Sequence, residues 1–287
     1  MRFPGWKFRD MALLTGLVGL AIMATWSVWV EIYEKALRNE EDSHILLALP
    51  IAAWLLWLRR GRLRSCPPQW SWAGPLTIVL GVALERFGIH QAVEIARHGG
   101  SVLIVVGAAM TVLGVRFVLQ FLPVFAALVF LIPVPGRIRQ QIAIPLQNIT
   151  AQASQFILDI FGVPSLRSGN ELVINGHAVA IAEACNGMRM VAALALISFA
   201  FIFSVPMRNK VRLMILAVAP LIAVLVNILR LVPTVLFYGY ANPSAADVFH
   251  EISGWAGLAM ALVLLWGFLS ILRWAEVRID PYPVNQR

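Results

Sequence analysis

From Glu183 the chain reads Glu-Ala-Cys-Asn-Gly-Met-Arg and then turns apolar, which sets Cys185 among polar residues where a long hydrophobic helix begins. A helix start presents backbone N–H groups without intrahelical partners and the positive end of the helix dipole. With Arg189 four residues on, and so on the same helix face, both influences favour the thiolate, the nucleophilic form of cysteine. Asn186 is a small polar residue able to cap the helix, and Gly187 follows it as a supporting residue. Arg230 interrupts another apolar run, with Asn227 one turn earlier on the same face to brace the guanidinium. His250 and Glu251 stand just before the last apolar segment, where Glu251 or Asp247 is placed to orient the imidazole. A thiolate, a guanidinium and an imidazole together make the working parts of acyl transfer: nucleophile, oxyanion stabiliser and proton donor.

Each residue taken singly has a blander reading. A lone cysteine in a membrane protein is usually a small packing residue, and Cys66 fits that role or simple exposure. A buried arginine can snorkel or pair with a structural carboxylate, and a histidine at a helix entrance is commonly a satisfied interfacial group. The convergence of three such residues is what favours a site.

That convergence depends on the elements around them. Hydrophobic residues make up 60% of the 287 and charged residues only 13%, with a mean hydropathy of +0.78, which identifies an all-α polytopic membrane protein. Apolar segments run over about 11–30, 43–58, 71–86, 100–116, 117–135, 188–206, 212–238 and 253–273, which predicts eight spans in a single integral membrane domain, 1–287. The division between the fourth and fifth rests on Arg116, Gln120 and Pro123 alone. The first span follows Arg2, Lys7 and Arg9 but is too long for a signal peptide and lacks a small-residue cleavage site, so it is expected to be retained.

The net charge of +8 comes from basic residues in short connections, which signals topology and not nucleic acid. Arg2, Lys7 and Arg9, then Arg59, Arg60, Arg62 and Arg64, then Arg208, Lys210 and Arg212, then Arg273 and Arg278 all fall on one side of an eight-span arrangement. That side is cytoplasmic and holds both termini. Glu31, Glu34, Glu40, Glu41 and Asp42 mark the connection between the first two spans as external. Eighteen residues from Arg212 to Arg230 rise about 27 Å, which places Arg230 near the outer edge of the hydrocarbon core. Cys185 and His250 reach the same depth from other helix ends, while Cys66 lies on the cytoplasmic side and cannot pair with Cys185.

The stretch from about 136 to 187 is then one long external excursion. Ile138, Ile142, Ile144, Leu146, Ala151, Phe156, Ile157 and Ile160 recur at roughly helical spacing between Arg137 and Phe161, which predicts an interfacial helix ended by Gly162 and Pro164. Leu172 to Ile181 alternates about Asn175-Gly176 and predicts a small β-hairpin leading to Cys185. His44, His90, His98 and His177 have no metal-ligand spacing, and the chain has no Gly-x-Ser-x-Gly elbow, phosphate loop or dinucleotide fingerprint; neither a metal nor a cofactor is expected.

In chain order, Ala184-Cys185-Asn186-Gly187-Met188-Arg189, then Asn227-Ile228-Leu229-Arg230, then His250 with Gly254 one turn on, resemble the exosortase/archaeosortase family of membrane cysteine transpeptidases. Pro133-Val134-Pro135, Pro145-Leu146-Gln147 and the hairpin before the cysteine are also similar to that family's core, so the likeness covers about 115–275 and leaves 1–114 as generic early spans. Asn186 departs from the serine common there, and His250 is like the bacterial members where some archaeal ones have arginine. The resemblance implies a bacterial inner-membrane enzyme with its active site on the periplasmic side. It implies catalysis by Cys185, Arg230 and His250 on exported proteins that carry a C-terminal sorting signal: a short Pro-Glu-Pro-like motif, a hydrophobic helix and a basic tail (PEP-CTERM-like).

Two readings of other classes compete with it. A transporter or flippase for an anionic or lipid-linked substrate would use Arg230 to bind the anion and would carry polar residues at the midplane of several spans. A non-catalytic scaffold for polysaccharide export would leave the Cys, Arg and His coincidence without a cause.

Overall fold

Thr25 breaks the first apolar segment. In the computed structural model, which describes residues 6–39, 42–180, 187–205 and 207–274, helix α1 (Phe8–Ala24) and helix α2 (Trp26–Arg38) meet there at a bend of 73°. The buried Thr25 hydroxyl donates to the Ala21 carbonyl at 2.8 Å and accepts from the Trp29 indole N–H at 2.8 Å. A hydroxyl bonded back onto the preceding turn in this way bends a helix. As a result Glu31 and Glu34, expected in a connecting loop, lie on α2.

The packing divides the chain into two compact units, Met1–Pro135 and Gly136–Arg287. In the first, α3 (Ile45–Leu58), α4 (Ala73–His90) and α5 (Glu94–Leu113) follow α2. Helices α4 and α5 approach so closely that a β-carbon on Gly81 would stand 2.8 Å from the Gly100 carbonyl oxygen, and one on Gly107 would stand 2.8 Å from Ile78 Cγ1. Small residues at both surfaces permit this approach. At the N-terminal end of α5 Glu31 accepts from Arg97 at 2.7 Å and from Lys35 at 3.1 Å, faces buried His98 at 3.2 Å, and Lys35 bridges on to Glu94 at 2.9 Å. Cys66 is buried against Ala109, Leu113, Phe117 and Phe121, the packing role its context suggests.

Gly114, at φ +82°, turns the chain out of α5. The fifth apolar segment is not one helix but α6 (Val115–Gln120), α7 (Leu122–Ala127) and a 3-10 turn at Leu128–Leu131. Pro123, which has no N–H to donate, fits only the first turn of α7 and so forces the break at Phe121.

In the second unit α8 (Gly136–Ile160) is the helix expected from Arg137 to Phe161. It closes in a Schellman motif: Gly162 at φ +70°, Val163 N–H to the Leu158 carbonyl at 3.0 Å, and Gly162 N–H to the Asp159 carbonyl at 3.0 Å. Next comes an antiparallel sheet in the order β1 (Ser165–Ser168), β2 (Glu171–Ile174), β3 (His177–Ala180). Strands β2 and β3 form the expected hairpin, turning through Asn175 (φ +51°) and Gly176 (φ +78°), the paired positive φ values of a type I′ turn. Strand β1, in register Leu166 to Val173, is an addition to the reading from sequence.

Helices α9 (Gly187–Ser204), α10 (Asn209–Tyr240) and α11 (Pro243–Trp274) complete the unit. Their core packs Met190 and Leu194 against Ile215, Ala219 and Val226 and against Ala261 and Leu265. A second core joins Leu158, Leu172, Ile174 and Val179 to Leu231 and Val235, which seats the sheet between α8 and α10. Among the described residues three helices are long and apolar enough to cross a membrane, Glu94–Leu113, Asn209–Tyr240 and Ser244–Leu272, and up to five spans result if each of two bent helix pairs is one span.

Candidate active site

Arg230 lies on α10 with only 5% of its surface exposed, and Asn227, one turn before it, is 2% exposed. Among the described residues neither Arg230 Nε nor Asn227 Oδ1 has a hydrogen-bond partner, although both are buried. Thr234 donates to the Arg230 carbonyl at 2.7 Å, so its hydroxyl is spent on the backbone and not on the guanidinium. An unpartnered buried donor on a cation and an unpartnered acceptor one turn away are costly features that a bound polar group would relieve.

The arginine stem runs beside α11. A β-carbon on Gly257 would stand 3.5 Å from Arg230 Cδ and 3.3 Å from Met190 Cε. Three helices therefore meet at this level: α9 through Met190, α10 through Arg230 and α11 through the bare backbone of Gly257. Met190 is five residues beyond Cys185 in the chain.

His250 is on α11, partly buried, seven residues before Gly257 and hence on the same face. Its backbone carbonyl accepts from the Ser253 hydroxyl at 2.9 Å. The level of His250 relative to α10 is fixed by its neighbours: Phe249 stacks on Phe237 with centroids 4.1 Å apart and planes within 6°, and Tyr238 donates to Asp247 at 2.9 Å. Seven residues on α10 and eight on α11 separate the phenylalanine pair from the Arg230 and Gly257 pair, about 10 to 12 Å along either helix. His250 falls between the two contacts.

Of the two carboxylates weighed as orienting groups, Asp247 holds the Tyr238 hydroxyl, and Glu251 is exposed. Cys185 and Asn186 lie outside the described residues. Gly187 and Arg189 fall in the first turn of α9 and are described by their backbone alone.

Gly257, Met190 and Gly239 are absent from the residues singled out in the sequence. Asn175 Nδ2 donates to the Gly239 carbonyl at 3.1 Å, and a β-carbon on Gly239 would stand 2.8 Å from Ile174 Cγ2, so the tip of the hairpin is docked on the end of α10. The heptad from His250 to Gly257 was the readable signal for the first of these. Gly239 had none, since its close neighbour is 65 residues away in the chain.

No curated protein and no solved structure matches this chain. The family model described as Transmembrane exosortase (Exosortase_EpsH) matches residues 29–267, well over half of the chain and including segments upstream of residue 115. A polytopic chain in which that match takes in the buried arginine, the helix start after the cysteine and the partly buried histidine belongs to the transmembrane exosortase family.

Proposed function

We propose that this exosortase is a cysteine-type transpeptidase that cleaves the C-terminal sorting signal of exported proteins at the outer face of the bacterial inner membrane. The topology of the proposal has eight spans, both termini in the cytoplasm, and a catalytic core over about 115–275. In the reaction Cys185 thiolate adds to the scissile carbonyl carbon, and the oxyanion so formed takes a hydrogen bond from Arg230. The C–N bond breaks as His250 gives its proton to the departing amine, which leaves a thioester on Cys185. His250, now neutral, takes a proton from the incoming nucleophile, which displaces the thiolate and restores the enzyme.

The observation that carries this reading is the buried Arg230, its Nε unpartnered among the described residues and its stem beside the backbone of Gly257. A guanidinium kept in so dry a place is useful where negative charge develops transiently. A sorting signal with a hydrophobic helix and a basic tail would hold its scissile bond at the depth of this arginine. The test is Cys185→Ala with a tagged, co-expressed substrate: the variant inserts normally and leaves the substrate untrimmed. Normal trimming by that variant would refute the nucleophile. Mass spectrometry of the wild-type reaction detects the acyl group on Cys185.

A further inference from the structure

We infer that the outer edge of β3 is the peptide-docking strand of the enzyme, on which the substrate segment just before the scissile bond lies as a fourth, extended strand. This rests on the reaction proposed above and adds the place where its substrate binds.

The two edges of the sheet are not alike. On β1 the Ser165 carbonyl accepts from Gln155 of α8 at 3.4 Å, and the strand carries a charged residue, Arg167, whose guanidinium donates to the Gly169 carbonyl at 3.3 Å. Strand β3 reads His177-Ala-Val-Ala180 and carries neither lysine, arginine nor proline, the residues with which exposed edges are usually protected. The two-residue turn makes Ile174 and His177 the first hydrogen-bonded pair, so Leu172 and Val179 are the next. The N–H and C=O groups of Ala178 and Ala180 therefore point away from β2. Among the described residues no backbone group bonds to them. Alanine at these positions also lets a second backbone come close.

An extended peptide is the ligand whose alternating donors and acceptors match such an edge. The placement suits the reaction. Val179 packs in one cluster with Leu231 and Val235, next to Arg230 in the chain and one turn beyond it. Cys185 is five residues past Ala180 in the chain. A substrate whose scissile bond follows its docked segment must run the same way, so it pairs parallel to β3.

Ala178→Pro tests this directly, because proline at an outward-facing edge position removes the free N–H without touching the β2 ladder. Ala178→Val adds bulk and keeps the donor. With a synthetic signal peptide in detergent, Ala178→Pro is expected to raise KM about tenfold with little change in kcat, and Ala178→Val to stay within about twofold. A scan of N-methylated peptides is expected to lose binding at every second position upstream of the cleaved bond. Wild-type KM in Ala178→Pro, or an N-methyl scan without alternation, overturns the docking strand while an inactive Cys185→Ala leaves the reaction intact. A Cys185→Ala enzyme that still cleaves overturns the reaction itself.

Discussion

Arg230 Cδ lies 3.5 Å from the point where a β-carbon on Gly257 would stand, so α11 leaves space beside the arginine for a methyl group and for little more. A methyl group fits at that distance, and the nearer neighbour, Met190 Cε at 3.3 Å, is the free end of a flexible chain. Gly257→Ala should therefore be processed near wild-type rates and gain up to about 1 kcal/mol of helix stability. Gly257→Leu should displace the guanidinium and lower processing at least about tenfold, with insertion unchanged. Substrate trimming normalised to the amount of membrane-inserted enzyme distinguishes the two.

Arg230→Lys should not rescue the arginine. Lysine keeps the charge but is a compact, strongly hydrated point charge without a planar fork, and it gives up its proton readily when buried. Loss of a donor to a developing oxyanion costs about 10²- to 10³-fold in kcat. Single-turnover kinetics should show that loss in thioester formation for both Arg230→Lys and Arg230→Met. Equal rates for lysine and arginine would reduce the residue's role to charge alone.

The elements that carry these residues were legible to different degrees. Period-3.6 patterning from Arg137 to Phe161, with Gly162 as the stop, marked α8, and Asn175-Gly176 marked the hairpin because that dipeptide accepts positive φ at both positions. Periodicity is weak in nearly continuous apolar runs, so the bend at Thr25 was not read, and Gln120 and Pro123, read as marks of the turn between the fourth and fifth spans, instead break the fifth segment at Phe121. Strand β1 escaped because Ser-Leu-Arg-Ser has one apolar residue and no alternation to read. Arg230 was found by its polarity in an apolar run, but the glycine beside its stem was not. What a β-carbon would meet is a property of the neighbouring helix, and one helix's sequence does not contain it.

The hairpin's seat on α10 is a second close approach of this kind. A β-carbon on Gly239 would come 2.8 Å from Ile174 Cγ2, and β-branched Ile174 is 0% exposed with no free rotamer to yield. Gly239→Ala should destabilise the second unit by about 1 to 3 kcal/mol. Ile174→Ala alone should cost about 2 to 5 kcal/mol, yet the double variant should be less unstable than the sum, because the shortened side chain accepts the new methyl. Thermal unfolding in detergent across the four combinations reads the coupling. Asn175→Gly keeps the positive φ and removes only the bond to the Gly239 carbonyl, so its cost should be near 1 kcal/mol.

In the first unit the packing of α4 on α5 predicts opposite outcomes for two glycines that look equivalent in sequence. A β-carbon on Gly81 would stand 2.8 Å from the Gly100 carbonyl oxygen, a backbone atom that cannot rotate away. The same atom on Gly99 would meet nothing nearer than Ile132 Cδ1 at 3.7 Å. Gly99→Ala should be neutral or slightly stabilising, since alanine is the better helix former. Gly81→Ala should force the helices apart, expose apolar surface between them and lower stability by about 1 to 3 kcal/mol. Midpoints of heat-induced aggregation for the two variants, compared with wild type in the same detergent, check the contrast. A Gly81→Ala protein as stable as wild type would mean that the helices are not in such close contact.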